Sequence, residues 1–380
     1  MHWVVLTGSY PPDEGGIADY TFVIVKRLAE LGSRVQIFTG PEATGGEPPI
    51  LDGVTVHRLA SHFTPFALLA LERDLARIPH PYEILIQYVP QAFGPRAHSR
   101  FRGLPMWFCL WLKWRSPALT TVMLHETLVH AQADSGWRDR ILHHATRWML
   151  TWLAQAADRI FLSTEAWRAE VTPLARPGTL IEVLPVPSNV AETYDAIRAA
   201  CIRADNCLLL GHFGTYREPV SGLILQLIPV LLTPGRRMLL IGSGSQDFLD
   251  QLLRDYPHLK DRLTATGALP SDEIAAHIAA CDLMIQPYPD GVTSRRGTLM
   301  AAVALAKPVL TNDGAATEAV WRDSGAVAMV SHFDVAQYGA KLDELIDAGK
   351  LHDLGHAGHA FYSRHCSSQR TAAALERIKS

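Results

Sequence analysis

Residues 3–39 read WVVLTGSYPPDEGGIADYTFVIVKRLAELGSRVQIFT. The opening run Trp3-Val4-Val5-Leu6-Thr7 is apolar almost throughout, as a strand covered on both faces requires. Residues 19–31 carry the spacing of an amphipathic helix, which Gly32 closes. Residues 34–39 then return to β-type side chains. A strand, a helix and a second strand in so short a span form a βαβ unit, whose strands are parallel.

The same alternation continues outward. Further strands are expected at residues 54–59, 84–88, 119–124, 159–163 and 180–183. The turn Leu184-Pro185-Val186-Pro187-Ser188-Asn189 breaks the series. A second series follows at 207–211, 238–242, 263–266, 283–286, 308–311 and 326–330, with helices at 222–232, 248–255 and 272–280. No fixed-period repeat is present. The expected fold is α/β, two Rossmann-like doubly wound domains facing a central cleft, with ligand at the carboxyl ends of the strands. The boundary falls near residues 187–205, which gives domains at 1–187 and 188–361. Residues 362–380 then carry a last amphipathic helix at 369–379.

Composition agrees. The 380 residues are 48% hydrophobic and 19% charged, and so long a chain suits two cores rather than one. A formal charge of −3 argues against a nucleic-acid partner. Five cysteines, odd in number and scattered, lack ligand spacing and fit a reducing compartment. The first strand follows Met1 with no basic leader, and no apolar run reaches the roughly 20 residues of a spanning helix. A cytoplasmic location is expected, with peripheral attachment at the inner face of the plasma membrane left open.

Several segments carry chemistry. Between the first strand and helix, prolines stiffen a loop in which Gly15 and Gly16 let a ligand approach backbone amides at the helix start. The strand at 119–124 ends in His125-Glu126, where an imidazole can bond a ligand hydroxyl or share charge near a reacting atom. In the second series, Gly214 permits a close turn and Arg217 can hold phosphate oxygens. The densest cluster is Pro287-Tyr288-Pro289-Asp290-Gly291-Val292-Thr293-Ser294-Arg295-Arg296-Gly297-Thr298 before an apolar helix. Two guanidiniums, hydroxyls and free helix-start amides make it an anion site. Trp107, Trp111 and Trp114 recur at helical spacing beside Lys113 and Arg115; interior packing is expected for this face, with a membrane interface as the alternative.

The stretch YPPDEGGIADY with GSRVQIFT, the strand-end LHE, and the C-terminal AKPVL together resemble retaining GT-B glycosyltransferases of the family 4-like, group 1 kind, over nearly the whole chain. The resemblance implies that Gly15 and Gly16 lie beside a donor diphosphate and that His125 contacts the donor sugar. It implies that Arg217 faces the leaving diphosphate, that Gly242 borders the nucleotide, and that Glu318 sits in a turn with structural or donor contact. The sequence departs from the family in two places. Ser221-Gly222 stands where Lys-Gly is usual, and Thr293 and Ala301 stand where the Glu-x7-Glu pair is usual. Arg295 or Arg296 is expected to replace the lysine, and Asp290 or Ser294 to meet the sugar.

The expected activity is retaining hexosyl transfer from a UDP- or GDP-sugar to a saccharide or lipid-linked saccharide in cell-envelope or exopolysaccharide synthesis. Neither a metal nor a cofactor is expected. His125, Arg217 and Arg296 are the catalytic candidates. Gly15, Gly16, Gly214, Gly242, Asp290, Ser294, Arg295, Gly297, Thr298 and Glu318 are the donor-binding ones. A nucleotide-sugar epimerase and a catalytically degenerate glycan- or partner-binding module are the alternatives.

Overall fold

The computed structural model describes residues 1–13, 15–41, 46–90, 92–93, 105–114, 118–128, 136–203 and 207–377. The chain divides into two compact units, Met1–Pro185 with the chain from Thr371 on, and Val186–Arg370.

In the first unit the order is β1 (His2–Thr7), α1 (Gly16–Glu30), β2 (Arg34–Thr39), β3 (Val54–Arg58), α2 (Pro65–Leu75), β4 (Glu83–Tyr88), α3 (Met106–Trp114), β5 (Thr120–Leu124), α4 (Trp137–Ala156), β6 (Arg159–Leu162), α5 (Arg168–Val171) and β7 (Leu180–Val183). The strands form one parallel sheet ordered β3-β2-β1-β4-β5-β6-β7. Trp3, Val4, Val5 and Leu6 of β1 are fully buried, which explains their unbroken apolar run. The order of the strands turns at β1 and β4, so the segments following these two strands splay apart around a switch point.

In the second unit the order is α6 (Ala196–Arg203), β8 (Leu208–Phe213), α7 (Val220–Leu231), β9 (Arg236–Ile241), α8 (Ser245–Asp255), β10 (Leu263–Ala265), α9 (Ser271–Ala280), β11 (Leu283–Ile285), α10 (Gly297–Ala304), β12 (Val309–Asn312), α11 (Ala319–Asp323), β13 (Ala328–Val330), α12 (Val335–Asp347) and α13 (Leu351–His365). Its parallel sheet is ordered β10-β9-β8-β11-β12-β13, with the switch between β8 and β11. The last helix, α14 (Ser368–Glu376), belongs to the first unit from Thr371 onward.

That final segment is fixed to the first unit by polar contacts as well as by burial of Ala372, Ala374 and Leu375. Ser33 donates to the Glu376 carboxylate at 2.8 Å. Arg159, only 2% exposed, donates to the carbonyls of Leu375 and Arg377 at 2.9 and 3.0 Å. Its remaining nitrogens reach Thr121 Oγ1 at 2.9 Å and the Glu83 carboxylate at 2.5 Å. A buried guanidinium needs every one of these partners, because leaving it uncompensated costs about 3–5 kcal/mol.

Most strand expectations match within two residues at each end. The strand placed at 326–330 begins only at Ala328. Helices α2, α4, α12 and α13 were not anticipated. The tryptophan segment requires a correction. Trp111 packs against the core and donates from Nε1 to Glu72 at 2.8 Å, but Trp107 and Trp114 are 61% and 80% exposed. Helix α3 meets the core through Phe108, Cys109 and Leu112 instead, so its tryptophans fall on the side and outer face. Arg115 lies outside the described residues.

Candidate functional site

In the second unit, β8 ends at Phe213 and the chain turns through Gly214, Thr215, Tyr216 and Arg217 before α7. Tyr216 holds a φ of 52°, a left-handed backbone that costs an aromatic residue of order 1–3 kcal/mol. Its hydroxyl donates to the His212 carbonyl at 2.8 Å, and its ring meets the His212 ring edge-on at 5.0 Å. Burial lowers the His212 pKa to about 3, so this imidazole is neutral at physiological pH.

The loop leans on its neighbour. Gly214 N–H donates to the Ile241 carbonyl at 3.1 Å. Gly242, with φ of 113°, comes so close that an added Cβ would stand 2.3 Å from the Gly214 oxygen. Only glycine combines that backbone with that contact. Gly242 therefore shapes the turn from behind.

Across the switch point, Gln286 follows β11 and its amide donates to the Phe213 carbonyl at 3.2 Å, tying the two strand ends together. The chain then runs through Asp290 to Arg296, which is the N-cap of α10. The Asp290-Gly291 turn is pressed against Gly314: an added Cβ on Gly291 would lie 2.5 Å from Gly314 N, and Ala316 N–H donates to the Asp290 carbonyl at 2.9 Å. Asp290 pairs with the Arg296 guanidinium and lies 3.5 Å from that of Arg295. Arg296 also rests over the Tyr288 ring at 4.6 Å, and Tyr288 shares a 2.9 Å hydroxyl contact with Thr298. Burial pulls the Arg296 pKa below its usual value while Asp290 opposes the shift. The guanidinium stays charged.

These segments enclose a cleft of about 340 Å³ lined by Gly214, Arg217, Arg295, Arg296, Gly297 and Thr298, with His212, Tyr216, Gln286 and Tyr288 among its further walls. Three arginines and the free amides of an apolar helix start surround it, an arrangement suited to a phosphorylated ligand. His212, Tyr216 and Gln286 were missed in the sequence. The signal available for Gln286 was its place directly after a buried strand.

Ser294 and Glu318 lie inside the turn that precedes α10. Ser294 is 1% exposed; its N–H donates to the Glu318 carboxylate at 2.5 Å and its hydroxyl accepts from Trp321 Nε1 at 3.1 Å. Glu318 is itself buried. The pair braces the turn before α10 from inside, and neither residue lines the cleft. Thr293 and Ala301 are buried too.

In the first unit, Gly15 caps α1 with φ of 143°. A Cβ added to Gly15 or Gly16 would meet no protein atom within 4 Å, so the helix start is open. Glu14 lies outside the described residues. Arg58 fixes the approach to this helix, donating to the carbonyls of Tyr10 and Pro11 at 3.1 and 2.9 Å and facing Asp13 at 3.5 Å. Gly8, unremarked in the sequence, is where Ala92 crosses, its carbonyl oxygen 2.1 Å from a Cβ position.

His125 stands at the end of β5. Its Nε2 meets Gln87 Oε1 at 2.8 Å, and Tyr20 of α1 packs edge-on against the ring at 4.4 Å. An amide oxygen only accepts, so Nε2 carries the proton and Nδ1 is the acceptor. Desolvation lowers the pKa to about 3. With its pKa so lowered the imidazole is neutral, and a hydrogen bond is what it offers. Among the described residues, no three metal-ligating side chains converge.

Residues 15–187 match a family model described as Glycosyl transferase 4-like domain, and residues 205–348 match one described as Glycosyl transferases group 1. The two matched stretches follow one another along the chain and fall mainly on the first and on the second unit in turn. No curated protein matches this sequence. Solved structures resemble it over nearly their full length. Sucrose-phosphate synthase from Thermosynechococcus elongatus gives a TM-score of 0.74 at 15% identity, covering 98% of this chain and 97% of that one. HepE from Anabaena in complex with UDP gives 0.68 at 14% identity, with 99% and 98% covered. The UDP-forming α,α-trehalose-phosphate synthase from Burkholderia xenovorans, in complex with glucose-6-phosphate, gives 0.66 at 10% identity, with 98% of each chain covered. At such identities the likeness is one of fold, and the fold is GT-B.

Proposed function

We propose that this chain is a metal-independent, retaining hexosyltransferase that uses a nucleoside diphosphate sugar, UDP- or GDP-linked, as donor. The observation that carries the reading is the cleft at the β8/β11 switch point, where Arg217, Arg295, Arg296 and the α10 helix start converge. Phosphate oxygens would bond the guanidiniums and the α10 amides, which offset charge as it develops on the leaving group. Arg295 and Arg296 thereby take the part that the absent lysine plays in the family. Neutral His125 donates no charge; its Nδ1 can accept from a sugar hydroxyl. The leaving phosphate would deprotonate the acceptor on the same face, consistent with retention. The UDP complex of HepE and the sugar-phosphate chemistry named for the two synthases support a nucleotide-sugar donor and a sugar acceptor. We assign the acceptor to saccharides, free or lipid-linked, of the cell envelope or exopolysaccharide, handled in the cytoplasm.

The missing Glu-x7-Glu pair favours a second reading, a binding module without catalysis. One assay separates the two. Incubation with a panel of UDP-, GDP- and ADP-sugars should release nucleoside diphosphate slowly from one member even without acceptor. An altered sugar epimer with the nucleotide still attached would instead identify an epimerase. Binding without any turnover across the panel would leave only the module.

A further inference from the structure

Helices α2, α3 and α4 bury their inner faces in the same core, through Leu68, Leu71 and Leu75, Phe108 and Leu112, and Met149, Leu150 and Leu153. Their outer sides therefore form one layer over one face of the first unit's sheet, and α3 packs against both neighbours. That outer side is not the polar surface such a layer normally presents. Phe66 is 84% exposed, Trp107 61% and Trp114 80%. On α4, Trp137, Ile141, His144 and Trp148 recur at intervals of four, three and four, and all are exposed, so they stand on one stripe. An apolar groove of about 230 Å³ runs between α2 and α3, with Leu69, Leu110 and the α3 tryptophans among its walls.

Charge selects the occupant. Exposed Arg73, Arg77, Lys113, Arg138, Arg140 and Arg147 stand on these helices, against exposed Asp139, half-buried Glu72 and Asp74, and the half-buried Glu170 that shares a small pocket with Arg147. Arg77 faces Asp74 at 3.3 Å, and Glu72 receives the Trp111 Nε1–H, so the acids are largely engaged. The surface is thus basic on a chain whose formal charge is −3. Tryptophan, with an apolar body and one N–H, suits the headgroup level of a bilayer, and arginine suits anionic lipid phosphates. A symmetric contact with a second copy would set these arginines against their own kind. Among the described residues no helix is long and apolar enough to cross a membrane, so the contact is a surface one.

We infer that the outer face of α2, α3 and α4 docks on an anionic lipid bilayer, the tryptophans entering the interface and the arginines meeting lipid headgroups. This inference stands apart from the transferase reading, since it uses no residue of the cleft.

The test is flotation of the full chain with vesicles of phosphatidylcholine alone and of phosphatidylcholine mixed with phosphatidylglycerol. Binding should be at least about tenfold stronger to the anionic vesicles and should fall steeply with salt. Exchanging Trp107 and Trp114 for serine should reduce tryptophan quenching by brominated lipid, leaving the part due to Trp137 and Trp148, and weaken flotation. R138E with R140E and R147E should weaken it by about 100-fold, while thermal stability and donor hydrolysis in solution stay unchanged, since all five side chains are exposed. Absence of flotation with anionic vesicles overturns the inference, as does equal binding by the variants. Dimerisation in sedimentation that the serine variant abolishes, without vesicle binding, assigns the face to a second copy and overturns it too.

Discussion

At Asp290 two guanidiniums of the cleft converge on one carboxylate. Without donor, Asp290 is the anion that Arg295 and Arg296 hold; a diphosphate would compete for the same two groups. Asp290→Asn should therefore raise UDP affinity by roughly three- to tenfold, because both side chains are partly solvated and the competition is screened. Arg295→Ala and Arg296→Ala should each lower it by about tenfold or more. Titration calorimetry with UDP decides the matter: weaker binding by the asparagine variant would make Asp290 a support for the arginines and not a competitor. The arginines and Asp290 stand out in the sequence because ionisable side chains beside a helix start suit an anion. Ser294 and Glu318 are polar and adjacent to that site in the sequence, and only packing shows the Ser294 hydroxyl held by Trp321 and its N–H by Glu318.

At the scale of elements, glycines do two separable things. Gly242 exists for a close approach between the turns after β8 and β9, and Gly242→Ala sets a methyl 2.3 Å from the Gly214 oxygen. It should destabilise the second unit by about 2–4 kcal/mol and weaken nucleotide binding with it. Gly16 opens α1 into empty space, so Gly16→Ala should leave the melting temperature unchanged or slightly raised while lowering transfer. Thermal unfolding beside a donor assay separates the cases; a Gly16→Ala variant that loses stability would contradict the open helix start. Helix α1 was legible from its single apolar stripe. Helix α4 was not, since Trp137, Ile141 and Trp148 on its outer side blur the inner stripe of Met149, Leu150 and Leu153.

The whole molecule carries a pH dependence to which half-buried His125 in the first unit and buried His212 in the second contribute most, with His2, His57 and His365 shifted the same way. Folded His125 and His212 have pKa values lowered to about 3, against an ordinary 6.5 in the unfolded chain. The unfolded state thus takes up protons that the folded state refuses, and stability falls as pH drops below about 6.5. At pH 5 the loss is on the order of 2 kcal/mol for each histidine. Melting temperatures between pH 7 and pH 5 measure it, and His212→Gln should flatten the slope by the His212 share. Activity between pH 6 and 8 should show no inflection from His125, because its protonation lies well below that range.

The sequence alone determined the doubly wound α/β architecture, since a strand buried on both faces must be apolar throughout and its covering helices must alternate with it. It also marked Arg217, Arg295 and Arg296, which the structure brings to the walls of one cleft. Tertiary structure decided the rest. Whether His125 bears charge depends on desolvation by Tyr20 and Gln87, which come from other elements. Whether Trp107 and Trp114 face inward depends on which side of α3 the sheet occupies, and helical spacing is silent on that.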